Sequence, residues 1–395
     1  MVKTPIYFDH AATTPVDSRV LNKMLPYFTE IYGNANSQHM FGRAAVKAVD
    51  EARDSIAEII GAKPNEVYFT SGGTEADNWA LRGIAKARVD KGKHIIVSPI
   101  EHSAVLSTAK ELAKQGYEIE YMKVDEFGFV DLEALKNSVR DDTILVACMM
   151  ANNEIGTIEP IKEITEIAHS KGAIMFTDAV QAAGVLDINV KELGVDLMSM
   201  SSHKIYGPKG MGALYVKNGV KIGGIITGGH QERMKRGGTT VVPAVVGFAE
   251  AFKIAADERE KNFKYVSMLR DRFIDGVLGN IPFVKLNGPR ENRLPANADF
   301  SFYYIEGESI LFSLDLAGIA VSSGSACSSG SLEPSHVLLA IGVPEALAHG
   351  SIRFSFGKHN TTEEIDYTIE VLKDAVEKLR DMSPLFNAKG EIKYV

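Results

Sequence analysis

The sequence predicts an α/β protein: a large, mostly parallel sheet domain flanked by helices, joined to a smaller α+β domain. Two observations predict the large domain. Short apolar runs alternate with helix-period segments up to about residue 250, and the runs are apolar throughout rather than on every second residue, as in strands covered on both faces. A third observation predicts the small domain: beyond a long helical stretch at 244–279, strand-like and helix-like segments no longer alternate regularly.

The elements follow in order. Helical periodicity marks 20–32, 43–61 and 74–89. Strand-like runs occupy 66–70, 94–98, 143–151, 173–179 and 196–201. Past the long helix, VKLNGP, ANADFSFYYI and GSIRFSFG read as strands. ESILFSLDLAG and TEEIDYTIEVLKDAVEKLRDM read as helices. The expected boundaries are 15–255 for the large domain, with 1–14 and 256–395 forming the small one.

Composition narrows the function classes. The 395 residues are 45% hydrophobic and 24% charged, ordinary for a globular protein. A net charge of −8 speaks against direct nucleic-acid binding, which uses a basic face. No apolar run approaches the roughly 20 residues that span a bilayer. The first residues lack a signal peptide's apolar stretch, so a cytoplasmic protein without membrane contact is expected. The two cysteines are far apart and the ten histidines scattered, so neither a disulfide framework nor a metal site is expected. Cys148, inside TILVACMM, reads as a buried, inert thiol.

Three motifs carry chemistry. TSGGTEADN (70–78) follows a strand and opens a helix. It fits an anion cup at a helix N-terminus, or simply a glycine turn with Thr74 as cap. In FTDAVQAAG (176–184), Asp178 ends an apolar strand, where open α/β sheets place ligands; a solvated loop aspartate is the plainer alternative. In SMSSHKIYGPKG (199–210), Lys204 follows another strand. It reads as a surface lysine or as an amine able to form a Schiff base. Together, a phosphate cup, an aspartate for a pyridine nitrogen and an aldehyde-binding lysine are what pyridoxal 5'-phosphate requires.

The chain also resembles the cysteine desulfurases of the NifS/IscS-like group, within the class-V aminotransferases of fold type I. The resemblance runs nearly end to end, through YFDHAATTPV, YGNANSQH, FTSGGTEADN, EHSAV, NNEIGTIEPI, TDAVQAAG, SSHKIYGPKG, GGHQERMKRGGT, SSGSACSSGSLEPSHVL and SIRFSFG. It implies that Lys204 holds the cofactor and later moves the substrate's α-proton. It places Asp178 at the ring nitrogen, Gln181 at the phenolic oxygen and His102 on the ring face as stacking partner and acid/base. Gly73, Thr74, Ser201 and His203 would bind the phosphate, joined by Thr239 from a neighbouring subunit. Asn153 and Arg353 would grip the substrate carboxylate, with Asn153 also near the phenolic oxygen. Asn36 and Ser37 would line the pocket mouth. Cys327 resembles the cysteine that receives sulfur.

That last assignment explains a lone cysteine among Ser, Gly and Ala in SSGSACSSGS. A small-residue loop, expected to be poorly ordered, lets a thiol swing from cofactor to acceptor. The implied reaction converts L-cysteine to L-alanine with a persulfide on Cys327. The implied assembly is a homodimer that passes sulfur to an iron–sulfur scaffold protein or to tRNA thiolation. Alternatives are a selenocysteine lyase or aminotransferase on the same fold, and an assembly module whose Cys327 transiently ligates a cluster. The sequence departs from the group's pattern at Gly73, Ser202, Ala35 and Thr240, and none of these removes a catalytic group.

Overall fold

A computed structural model describes residue 2 and residues 4–323 and 333–386. The strands are β1 (Ile6–Tyr7), β2 (Val67–Thr70), β3 (His94–Val97), β4 (Glu118–Tyr121), β5 (Thr143–Ala147), β6 (Ile174–Asp178), β7 (Leu197–Ser201), β8 (Gly212–Val216), β9 (Val284–Asn287), β10 (Asn297–Phe302), β11 (Ile319–Ala320) and β12 (Ser351–Ser355). The helices are α1 (Ser18–Met24), α2 (Pro26–Thr29), α3 (Met40–Ile59), α4 (Gly73–Ala87), α5 (Ser103–Lys114), α6 (Leu132–Ser138), α7 (Ile161–Ser170), α8 (Val190–Leu193), α9 (Gln231–Met234), α10 (Val242–Asn280), α11 (Gly307–Leu316), α12 (His336–Ala340), α13 (Glu345–Ala348) and α14 (Thr362–Met382).

The large sheet has the order β2-β8-β7-β6-β5-β3-β4. It is parallel except at β8, which runs against both β2 and β7. Side chains alternate across each strand. Ile96, Val146 and Met175 join α3, α7 and the first half of α10 in one core. Ile95, Val97, Leu145 and Phe176 join Trp79 and Ile84 of α4 and Val105 of α5 in the core on the other face. Both faces are therefore covered, which is why these strands are apolar without alternation.

The smaller layer is the antiparallel sheet β12-β10-β9, with β1 paired to β11 nearby. Its core is aromatic: Phe8, Phe273, Phe300, Phe302, Phe354 and Phe356 pack with helices α10, α11 and α14. Phe273 sits at the centre, 4.6 Å from Phe354 and 5.3 Å from Phe356 between ring centroids.

Two expected elements differ. The helix expected over 20–32 divides into α1 and α2, because Pro26 has no N–H to continue the first helix. The strand expected over 143–151 ends at Ala147; beyond it the chain turns into a buried loop that carries site residues.

Candidate active site

The large sheet ends on one side in β3, β5, β6 and β7, and the following turns build a cavity of about 300 Å³. Thr74, His102, Asn153, Asp178, Gln181, Ser201, His203, Lys204, Gly73 and Arg353 all line it. Residues up to 280 positions apart in sequence are thus brought together by strand ends, as the open α/β topology allows.

The segment Asp9–Thr14 forms the wall the motifs alone did not explain. It leaves β1 along β12, where the Ala11 N–H donates to the Ser355 hydroxyl at 2.8 Å. It then crosses to the site, where the Thr14 N–H and hydroxyl donate to the His203 carbonyl at 3.0 and 2.9 Å. Lys204 Nζ donates to the carbonyls of Ala11 and Ala12 at 2.6 and 2.8 Å. The Gln181 amide donates to the Ala11 carbonyl at 3.0 Å. Lys204 is therefore an oriented amine in a cleft, not a surface lysine.

The anion cup forms where β2 hands over to α4. Gly72 adopts φ +155°, ψ −178°, a conformation open to glycine alone. A Cβ on Gly73 would lie 2.7 Å from a Val180 methyl, so a larger residue there would require the Val180 side chain to shift. Thr74, Ser201, His203 and Lys209 line the same recess. The Ser201 hydroxyl is buried without a hydrogen-bond partner. His203 is pushed down to about 4, by burial and then by Lys204 and Lys209, and so is neutral near pH 7. Its Nδ1 lies 3.1 Å from the Thr13 hydroxyl.

Asp178 is buried, and its Oδ1 accepts from the Val180 N–H at 2.8 Å. Burial raises its pKa, while His102, this hydrogen bond and Lys204 act to lower it. His102 caps α5: its Nδ1 accepts from the Ala104 N–H at 3.2 Å, which leaves Nε2 as the protonated nitrogen of the neutral ring. Arg353 is buried in β12. Its Nη2 donates to Asp9 Oδ1 at 2.9 Å and its Nη1 to the Asn153 carbonyl at 3.1 Å.

These features fit pyridoxal phosphate. A partnerless hydroxyl and a helix start suit its phosphate, a buried carboxyl suits its ring nitrogen, and a held amine suits its aldehyde. Three expected residues stand apart. Thr239 is exposed and does not line its own chain's cavity. Asn36 and Ser37 do not line it either. Cys327 lies outside the described residues, and with it the expectation of a poorly ordered loop. Cys148 is fully buried, with its thiol pushed well up by burial. Sequence reasoning missed Asp9, Lys209 and Asp77, which also lines the cavity. Only the position of Asp77 four residues past Gly73, on the helix that opens at the cup, signalled it.

Residues 6–368 match the class-V aminotransferase family. Among curated relatives, the cysteine desulfurase IscS of Dictyoglomus turgidum is 54% identical over 383 residues, covering 97% of each chain. That of Clostridium botulinum (strain Kyoto / Type A2) is 53% identical and covers 96% of each. A solved NifS-like protein superposes with a TM-score of 0.90 at 40% identity, over 95% of this chain and 100% of its own. The chain belongs to the class-V aminotransferase family.

Proposed function

We propose that this chain is a pyridoxal-phosphate-dependent cysteine desulfurase, converting L-cysteine and a protein thiol to L-alanine and a persulfide. The observation that carries this is the convergence of Lys204, Asp178, His102 and the Thr74–Ser201–His203 recess in one cavity, in a chain about half identical to proteins named cysteine desulfurase.

The cofactor, when bound, supplies an electron sink that lets the substrate's α-proton leave. Lys204 would hold its aldehyde, then use Nζ to carry that proton. Asp178 would face the ring nitrogen and Gln181 the phenolic oxygen, with His102 over the ring face. Gly73, Thr74, Ser201 and His203 would hold the phosphate, the neutral histidine as a donor. Arg353 would grip the substrate carboxylate beside Asn153. Its fork is already oriented by Asp9 and the Asn153 carbonyl, so little freedom is lost on binding.

Cys327 is the proposed nucleophile. Its thiolate attacks the substrate sulfur, the substrate's C–S bond breaks, and the substrate carbon takes a proton to leave as alanine. The persulfide then passes to an acceptor, either an iron–sulfur scaffold protein or tRNA thiolation machinery. We place the enzyme in the cytoplasm as a homodimer in which Thr239 completes the neighbour's phosphate site. We set the domain boundaries at 15–255 and 1–14 with 256–395. No described helix is long and apolar enough to cross a membrane.

Absorption spectra of the purified protein with and without L-cysteine, alongside an alanine assay, test the reading. A cofactor band that responds to L-cysteine, with alanine produced, is expected. A cofactor band with no turnover would favour a sulfur-binding assembly role, and faster turnover of selenocysteine would favour a lyase.

A further inference from the structure

At the cavity wall, Asp178 belongs to a group of buried acids whose other members, Asp77 and Glu101, the proposed reaction does not use. Asp77, on α4, is 1% exposed; Glu101, just before His102, is 1% exposed; Asp178 is 4% exposed. Asp77 Oδ1 and Glu101 Oε2 have no hydrogen-bond partner. The Ser199 hydroxyl on β7 lies near both Asp77 and Asp178. It closes no hydrogen bond with either in this arrangement.

Carboxylates that act on one another in a site this dry cannot all be ionised. The surroundings decide which keeps the charge. Asp178 receives the Val180 N–H and feels the positive field of Lys204, both of which favour its carboxylate. The charged groups that act on Asp77 are Asp178 and Glu101, both acids. The other titratable groups lining the cavity are His102 from the turn before α5, His203 and Lys204 beyond β7, and Arg353 from β12. Glu101 has one oxygen satisfied by the Met149 N–H and is likewise held towards its neutral form by burial.

We propose that Asp77 and Asp178 form a carboxyl dyad holding one proton between them beside the Ser199 hydroxyl, with Asp77 the acid partner and Asp178 the carboxylate. Asp77 is then a positioning residue. It keeps the site at one negative charge, which matches one cationic ring nitrogen. That consequence rests on the role given to Asp178 above, but the dyad belongs to the chain itself and is testable without cofactor.

The test uses the full chain, freed of cofactor, as wild type and Asp77→Asn. Infrared spectra near neutral pH should show a carboxylic-acid carbonyl band in wild type that Asp77→Asn lacks. The thermal midpoint should fall less between about pH 5 and 8 in Asp77→Asn. In wild type the folded chain keeps a proton there that the unfolded chain has released, so stability declines with rising pH. Pyridoxal phosphate should bind Asp77→Asn within about twofold of wild type, because asparagine copies a neutral acid. An unchanged acid band, an unchanged pH slope, or a loss of about tenfold or more in cofactor affinity overturns the dyad. If Asp77→Asn does not fold, Ser199→Ala replaces it: the acid band should shift, and a band that stays in place overturns the proposal. A chain with the expected infrared band that takes up no pyridoxal phosphate would instead sink the function proposed above.

Discussion

Ala11 contributes no side-chain chemistry, yet its carbonyl accepts from both Lys204 and Gln181. It holds the amine and the amide side by side. Lys204→Ala should lose any borohydride-fixable cofactor, while the phosphate recess retains some cofactor noncovalently; fixation on another lysine would sink the assignment. Arg353 tests the other end. Arg353→Lys keeps the charge but loses the planar fork held by Asp9 and the Asn153 carbonyl. Cysteine affinity, read from the substrate-induced spectral change, should weaken about 10- to 100-fold, as expected when about 1.5–3 kcal/mol of charged hydrogen bonding is lost. An unchanged affinity would place the substrate carboxylate elsewhere. At this scale the sequence motifs supplied residue types and strand-end positions. They could not supply pairings such as Asp9 with Arg353, which are 344 positions apart and exist only once the segment after β1 lies along β12.

The loop between β5 and α7 shows how an element can carry cost as well as function. It presents Asn153 to the site, and it buries Glu159, whose Oε2 accepts from the Val130 N–H at 3.1 Å while Oε1 has no partner. Burial pushes Glu159 up to about 8. The folded chain therefore keeps a proton that the unfolded chain loses above the ordinary glutamate range. Stability from this group is fully present below about pH 4.5 and declines until about pH 8. Glu159→Gln should flatten that part of the profile and stabilise the protein at pH 8 by roughly 2–4 kcal/mol, measured by urea unfolding. Equal pH profiles for the two proteins would show that Glu159 is ionised when folded. Elements of this kind were only partly legible. The apolar run 143–151 concealed the point where strand becomes loop, because both halves are buried. The helix expected over 244–279 lies within a few residues of α10, because no proline interrupts that stretch and Gly247 and Gly276 do not end the helix. The break at Pro26 is visible in the sequence but was outweighed by the helical pattern on either side.

At the scale of the whole molecule, Thr239 raises the question of what completes the phosphate site. It is exposed, just before α10, and absent from its own cavity. Nearby surface is unusually apolar. Leu25 and Phe28 in and beside α2, Tyr32, Met40 and Phe41 at the start of α3, and Val241 are all exposed. They are linked through the packing of α1, α2 and α3 on α10 and the Tyr32–Phe41 ring contact at 5.6 Å. Exposed apolar side chains grouped in this way mark a surface for another protein, and a second copy would bring its Thr239 with it. If Thr239 reaches the partner's cofactor phosphate, cofactor binding and dimerisation must be linked, because a ligand that binds only the assembled site stabilises the assembly. Dilution to monomers should then release pyridoxal phosphate, and excess pyridoxal phosphate should shift the dimer–monomer equilibrium towards dimer. Thr239→Val should weaken cofactor binding about tenfold, through loss of a hydrogen bond to a charged group, while leaving the dimer intact. Sedimentation and cofactor fluorescence, measured on the same samples, separate the two effects. A monomer that keeps both its cofactor and full activity would show that the site is complete within one chain, and Thr239 would then have no part in it.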